Sequence, residues 1–200
     1  MKKCCSYYSY IESIKLKVGV LMLLSQATLN LLNQQISHEF DNHTIYRNIQ
    51  AYFSNLDLDG WASFFGLQAE GEYSHYKHVI SYLDDKNAPY EINVLPYTNY
   101  QFKDIKEILD KYYATEILTT RMLYAIAEQA KADNDHGTIG WLYTIPVSEG
   151  GLSLIHEQIE EEDSALKLQS EFIQGFGNND QLNQQWIRTV NENLIQRLAE

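Results

Sequence analysis

A chain of 200 residues, 44% hydrophobic and 21% charged, is sized for one core and leaves little room for a second. Three prolines and ten glycines are too few for a collagen-like, disordered or many-turned all-β chain. Fifteen Lys and Arg against 27 Asp and Glu give a net charge of -12, which repels phosphate backbones, argues against a nucleic-acid partner and attracts cations.

Residues 1–24 cluster Tyr, Ser and Lys and read as an N-terminal extension. Cys4 and Cys5 are adjacent, so they cannot staple a core, and no other cysteine exists to build a zinc site. A reducing, cytoplasmic setting is the expectation. The apolar run 18–24 is too short to span a bilayer, and its flank is too polar and too long for a secretory signal. No membrane partner is expected.

From Ser25 the apolar residues take helical spacing: Leu29, Leu32, Ile36, Phe40, Ile45, Ile49 and Phe53 predict a first helix reaching Asn55. The LDLDG stretch at 56–60 supplies turn and N-cap residues. A second helix carries Trp61, Phe65, Val79 and Tyr82 on one face and ends near Asp84 or Asp85. Residues 86–99, with Pro89 and Pro96, read as a long extended connection. A third helix, 102–132, follows the stripe Ile105, Leu109, Tyr112, Leu123 and Ile126. A turn at 133–137 leads to a helical stretch, 138–145, that Pro146 and then Gly150-Gly151 interrupt. The fourth helix starts at Leu152, carries Leu154, Ala165, Leu168 and Phe172, and ends by 175–179. The last has Leu182, Trp186, Val190, Ile195 and Leu198 near one side. The expected fold is all-α: a four-helix bundle with a long crossover between its second and third helices and a short C-terminal fifth helix.

Polar residues interrupt every apolar seam near its middle. Positions 32, 36, 39, 43 and 46 read Leu32, Ile36, Glu39, His43, Tyr46, and the second helix gives Phe65, Gln68, Glu72, His75, Val79, Tyr82. The third gives Leu109, Tyr112, Glu116, Thr119, Leu123, and the fourth Leu154, Gln158, Glu161, Ala165, Leu168. Each helix thus points one carboxylate into its own seam. An unpartnered buried carboxylate costs several kcal/mol, and four together drive one another to protonate. Besides His43, the seams offer the histidine of Glu72-x-x-His75, and few cations. Metal ions remove the penalty by turning carboxylate and imidazole into ligands. An i, i+3 pair places both groups on one helical face. His43, His78, His136 and His156 read as surface or helix-end residues.

The stretch HEFDNHTIY resembles the opening helix of the bacterial non-haem ferritins. FFGLQAEGEYSHYKHV resembles that family's Glu-x-x-His helix, and HEQIEEED resembles its fourth-helix Glu-Gln-x-x-Glu signature. The resemblance runs from about Leu29 to Leu168 and implies a ferritin-like domain over 25–200. It implies a dinuclear iron site with Glu39 and His75 on one ion, Glu72 as the bridge, and Glu116 with Gln158 or Glu161 on the other. Glu157 and Glu160 would serve a third, exit or storage site. Tyr46 would donate an electron or hydrogen-bond to a ligand.

The implied activity is ferroxidase: Fe(II) is oxidised by O2, or by H2O2, and the ferric mineral is stored in a hollow homo-oligomeric cage of 24 subunits. A ferroxidase-inactive cage subunit and a mini-ferritin-like iron-detoxifying protein are the alternatives. The chain has no second Glu-x-x-His, and no methionine on the first two helices where a haem ligand would sit, so no haem is expected. Between Asp135 and Glu157 the chain is longer than the family pattern, with an insert around 138–151 at the start of helix 4. Gly71 stands where bacterial members often have an acid, which would take one ligand from a third iron site. The family's start falls within a residue of Met22.

Overall fold

The computed structural model describes residues 24–93, 101–144, 153–175 and 180–198. The 1–23 part of the extension, both cysteines, Pro96, Pro146 and Gly150-Gly151 lie outside them. The described residues form six helices: α1 (Gln26–Ser54), α2 (Asp59–Asp85), α3 (Ile105–Ala132), α4 (His136–Tyr143), α5 (Leu154–Gly175) and α6 (Asp180–Leu198). None is long and apolar enough to cross a membrane.

Local chemistry sets the boundaries. Ser25 caps α1, its hydroxyl accepting from the Thr28 amide at 3.1 Å. The same hydroxyl donates to Asp133 Oδ2 at 2.5 Å, and the Thr28 hydroxyl donates to that oxygen at 2.9 Å. The start of α1 is thereby tied to the end of α3. The turn into α2 passes through Asp57 with φ 55°, a left-handed conformation that Asp tolerates better than most residues. α3 begins at Ile105, three residues after the expected start. The reason is Asp104, whose carboxylate accepts from the Glu107 amide at 2.9 Å and takes the N-cap.

Residues 138–143 of the expected 138–145 stretch are helical, Thr144 is already extended and Ile145 lies outside the described residues; α4 begins earlier, at His136, where Asp135 caps it by accepting from the Thr138 amide at 3.0 Å. α4 seats Trp141 flat on Tyr82 with ring centroids 4.2 Å apart, and the Tyr82 hydroxyl is hydrogen-bonded to Thr138 at 2.7 Å.

α1 packs along α2, α3 along α5, and α1 against α3, which makes the four-helix bundle; α4 sits on α3 and α5. α6 packs on α2, where Ile187 and Leu194 are buried and the Trp61 indole donates to the Ile187 carbonyl at 3.0 Å. The bundle has two apolar cores. One holds Tyr46, Phe53, Trp61, Phe65, Leu109 and Tyr112; the other holds Leu32, Ile36, Val79, Leu83, Leu123 and Leu154. Each fully buried large side chain stabilises the fold by about 1.5–3 kcal/mol. That surplus offsets what lies between the cores, a layer of buried polar residues drawn from all four bundle helices.

Candidate metal centre

The polar layer brings together Glu39 from α1, Glu72 and His75 from α2, Glu116 from α3, and Gln158 and Glu161 from α5. Their helices run through the middle of the bundle, and the 3.6-residue repeat that buries Ile36 and Val79 also buries Glu39 and Glu72. The ligand atoms form overlapping groups, each within 4.8 Å: Glu39 with Glu72 and His75, then Glu72 with Glu116 and Glu161. Glu72 belongs to both. A third group, His75 with Glu157 and Glu161, adjoins them.

Several partners hold these carboxylates. Glu116 is gripped at both oxygens: the Tyr46 hydroxyl donates to Oε1, and Gln158 Nε2 donates to Oε2 at 2.9 Å. His75 Nε2 lies 3.3 Å from Glu157 Oε2, and its Nδ1 lies 3.8 Å from Glu72 Oε2. Three of the carboxylate oxygens make no hydrogen bond: Glu39 Oε2, Glu72 Oε2 and Glu161 Oε2 are buried without a donor. Leaving such oxygens unpaired costs about 1–3 kcal/mol each, more when charged. The set fits divalent cations, which would satisfy these oxygens with hard oxygen donors and one imidazole.

Electrostatics agree. Burial pushes the Glu72 and Glu116 carboxyls up to about 7 and Glu161 up to about 8, though bonds from His75 to Glu72 and from Tyr46 and Gln158 to Glu116 oppose it. Burial, then the adjacent Glu72 charge, raises Glu39 well above the usual range. Burial opposes protonation of His75, but Glu157, Glu72 and the surrounding carboxylates outweigh it and raise the imidazole. Its bond to His75 lowers Glu157.

Eight of the nine residues singled out by sequence thus gather here: Glu39, Tyr46, Glu72, His75, Glu116, Glu157, Gln158 and Glu161. Glu160 is exposed and belongs to none of the three ligand groups. Glu157 sits against His75, in the third ligand group. A Cβ at Gly71 would lie 3.9 Å from Glu161 Oε1, so the missing acid is missing at the rim of the centre. His43 is half-buried on the Ala69 carbonyl at 2.7 Å, outside the three ligand groups, and His78 stacks on Trp141.

Sequence reasoning passed over Gln35, fully buried and bonded to Glu39, and over the network of His38, Asn42 and Thr119, in which His38 Nε2 meets the Thr119 hydroxyl at 2.8 Å. Stepping back one turn from Glu39 along its own face would have found Gln35.

The ferritin-like domain family matches residues 29–145, more than half of the chain. The bacterial non-heme ferritin of Staphylococcus haemolyticus is 31% identical over 142 residues, covering 71% of this chain and 80% of the relative. That of Staphylococcus aureus is 30% identical over 140 residues, covering 70% and 79%. Among solved structures, an open pore ferritin from the archaeon Archaeoglobus fulgidus superimposes with a TM-score of 0.71 at 18% identity, covering 86% of this chain and 98% of the other. Apo-ferritin from Pseudo-nitzschia multiseries gives 0.70 at 19% identity, covering 82% and 98%. Matched over most of its length in sequence and fold, the chain belongs to the ferritin family.

Proposed function

We propose that this chain is an iron-storage ferritin that oxidises Fe(II) at a paired site inside the bundle and passes ferric iron to a cage of identical subunits. The observation that carries this reading is the pair of ligand groups sharing Glu72, with unpartnered oxygens on Glu39, Glu72 and Glu161. Iron is the substrate here, and it leaves as product.

Glu39 and His75 hold one ferrous ion, Glu116 and Glu161 the other, and Glu72 bridges. Two ions in one site supply two electrons to one O2, so O2 and two protons leave as H2O2 while both ions become ferric. H2O2 taken up in place of O2 accepts the same two electrons with two protons and leaves as two waters. Carboxylate oxygens favour the harder ferric state. Tyr46 and Gln158 hold Glu116 in place, and the two apolar cores exclude bulk water from either side of the layer. With one imidazole on the pair, the product is held loosely enough to depart past Glu157, on the His75 side. Storage then takes place in a hollow shell of 24 copies in the cytoplasm, with no haem.

The test is stopped-flow absorbance after mixing metal-free protein with about two ferrous ions per chain in air, the stoichiometry of a paired site. Fast oxidation that Glu72→Ala abolishes is the expected result. Oxidation no faster than buffer in both proteins would overturn the reading and leave a passive cage subunit.

A further inference from the structure

Gln35 lies one turn before Glu39 on the same face of α1 and is fully buried. Its Nε2 donates to Glu39 Oε1 at 2.6 Å, whereas its own Oε1 is buried with no partner. A buried amide with half its hydrogen bonding unmet stabilises a bundle less than a leucine of similar volume. Leu32 and Ile36, its neighbours on the helix, show that this stripe accepts aliphatic side chains without difficulty. The amide therefore serves the group it touches. It occupies Oε1 of Glu39 and leaves Oε2, the oxygen without a partner, as the free donor atom.

We propose that Gln35 is a positioning residue that fixes Glu39 as a one-oxygen ligand through Oε2. It does for the Glu39–His75 position what Tyr46 and Gln158 do for Glu116 at the other. The inference rests on the paired site proposed above, and it concerns one metal position only. Hydrogen-bonding partners of metal ligands typically change affinity by 10–100-fold when removed.

Cobalt(II) titration of the metal-free protein, followed by calorimetry and by the visible ligand-field bands, tests it without relying on oxidation. Wild type takes up two ions per chain in two steps, and Glu39→Ala identifies which step belongs to the Glu39 position. Gln35→Leu removes the donor, and Gln35→Asn keeps an amide one methylene too short to reach. Both weaken the Glu39 step by about tenfold or more and alter its bands, with the other step unchanged. Urea unfolding of the metal-free variants checks the fold, and Gln35→Asn carries the test if Gln35→Leu fails to fold. Two unchanged steps, or two steps weakened alike, overturn the role of Gln35 and leave the paired site standing. A wild type that binds fewer than two ions removes the paired site, and the inference with it.

Discussion

The Tyr46 hydroxyl on α1 donates to Glu116 Oε1 on α3, joining two helices 70 positions apart at the edge of the carboxylate layer. The ring is held edge-on against Tyr112, with centroids 5.5 Å apart, so the phenol has little freedom to turn away. Tyr46→Phe keeps that packing and strands a buried carboxylate oxygen. The metal-free variant is expected to lose about 1–3 kcal/mol of stability. Zn(II) should narrow the deficit, because a bound cation satisfies the oxygen that the hydroxyl released. Urea unfolding with and without Zn(II) checks both halves, and a metal-free variant as stable as wild type would show that the hydroxyl does not hold Glu116.

Glu72 belongs to both ligand groups of the proposed paired site, while Glu39 and Glu161 each belong to one of those two. Removing each should therefore change stoichiometry differently. Glu161→Ala is expected to keep the Glu39–Glu72–His75 position and bind one Co(II) tightly, Glu39→Ala to keep the other, and Glu72→Ala to lose both. Equilibrium dialysis gives the counts directly. Two ions retained in Glu72→Ala would mean that the positions are independent and that no residue bridges them.

Much of this centre is legible in the sequence because helix periodicity projects it. Glu39, Glu72, Glu116 and Glu161 stand where 3- and 4-residue steps from Leu32, Phe65, Leu109 and Leu154 fall, so the same arithmetic that finds the cores finds the layer between them. Gln35 escapes that arithmetic. The buried stripe of α1 is wide enough to include Thr28, Gln35 and Asn42 beside the seam, and a narrow 4-3 reading steps past them. The seating of α6 is not readable either, since it depends on Asn191 meeting Gly60, 131 positions away. Glu160 is exposed and outside the three ligand groups while Glu161 belongs to two of them, because successive residues on a helix point about 100° apart.

Four carboxyls of the layer are raised above the ordinary 4.5, Glu72 and Glu116 to about 7 and Glu161 to about 8, with Glu39 higher than its usual range. A group raised on folding holds its proton in the native state where the unfolded chain has released it. These groups thus bind more protons in the native state between pH 4.5 and 8, and, opposed by His38, whose imidazole is lowered by burial, their contribution to stability falls as pH rises through that window. Raised His75 acts in the same direction, losing its contribution as pH rises through its folded value. Metal binding reverses the trend, because cation and protons compete for the same oxygens. Calorimetric melting at pH 5, 6, 7 and 8 is expected to show a falling midpoint for metal-free protein and a flat or rising one with Zn(II). A metal-free midpoint that rises across this range would contradict the buried-acid assignment.

Asn191 caps a helix that lacks a cap of its own. Leu58, at the N-cap of α2, offers no side-chain acceptor, and Asn191 Oδ1 from α6 accepts instead from the Gly60 amide at 2.8 Å and the Trp61 amide at 3.3 Å. The approach is so close that a Cβ at Gly60 would lie 2.2 Å from the Asn191 carbonyl oxygen, a backbone atom that cannot swing aside. The two substitutions therefore act unequally. Asn191→Ala removes a cap and should cost about 1 kcal/mol, with α6 still seated by Ile187 and Leu194. Gly60→Ala forces the helices apart, breaks the bond from the Trp61 indole to the Ile187 carbonyl, and exposes the faces that α6 and α2 now bury. Hydrogen exchange across 180–198 is expected to quicken slightly in Asn191→Ala and by orders of magnitude in Gly60→Ala, with a red shift in tryptophan emission from Trp61 and Trp186 in the second variant. Equal protection in the two variants would mean that α6 is held elsewhere, and that its contact with the start of α2 contributes little to keeping it in place.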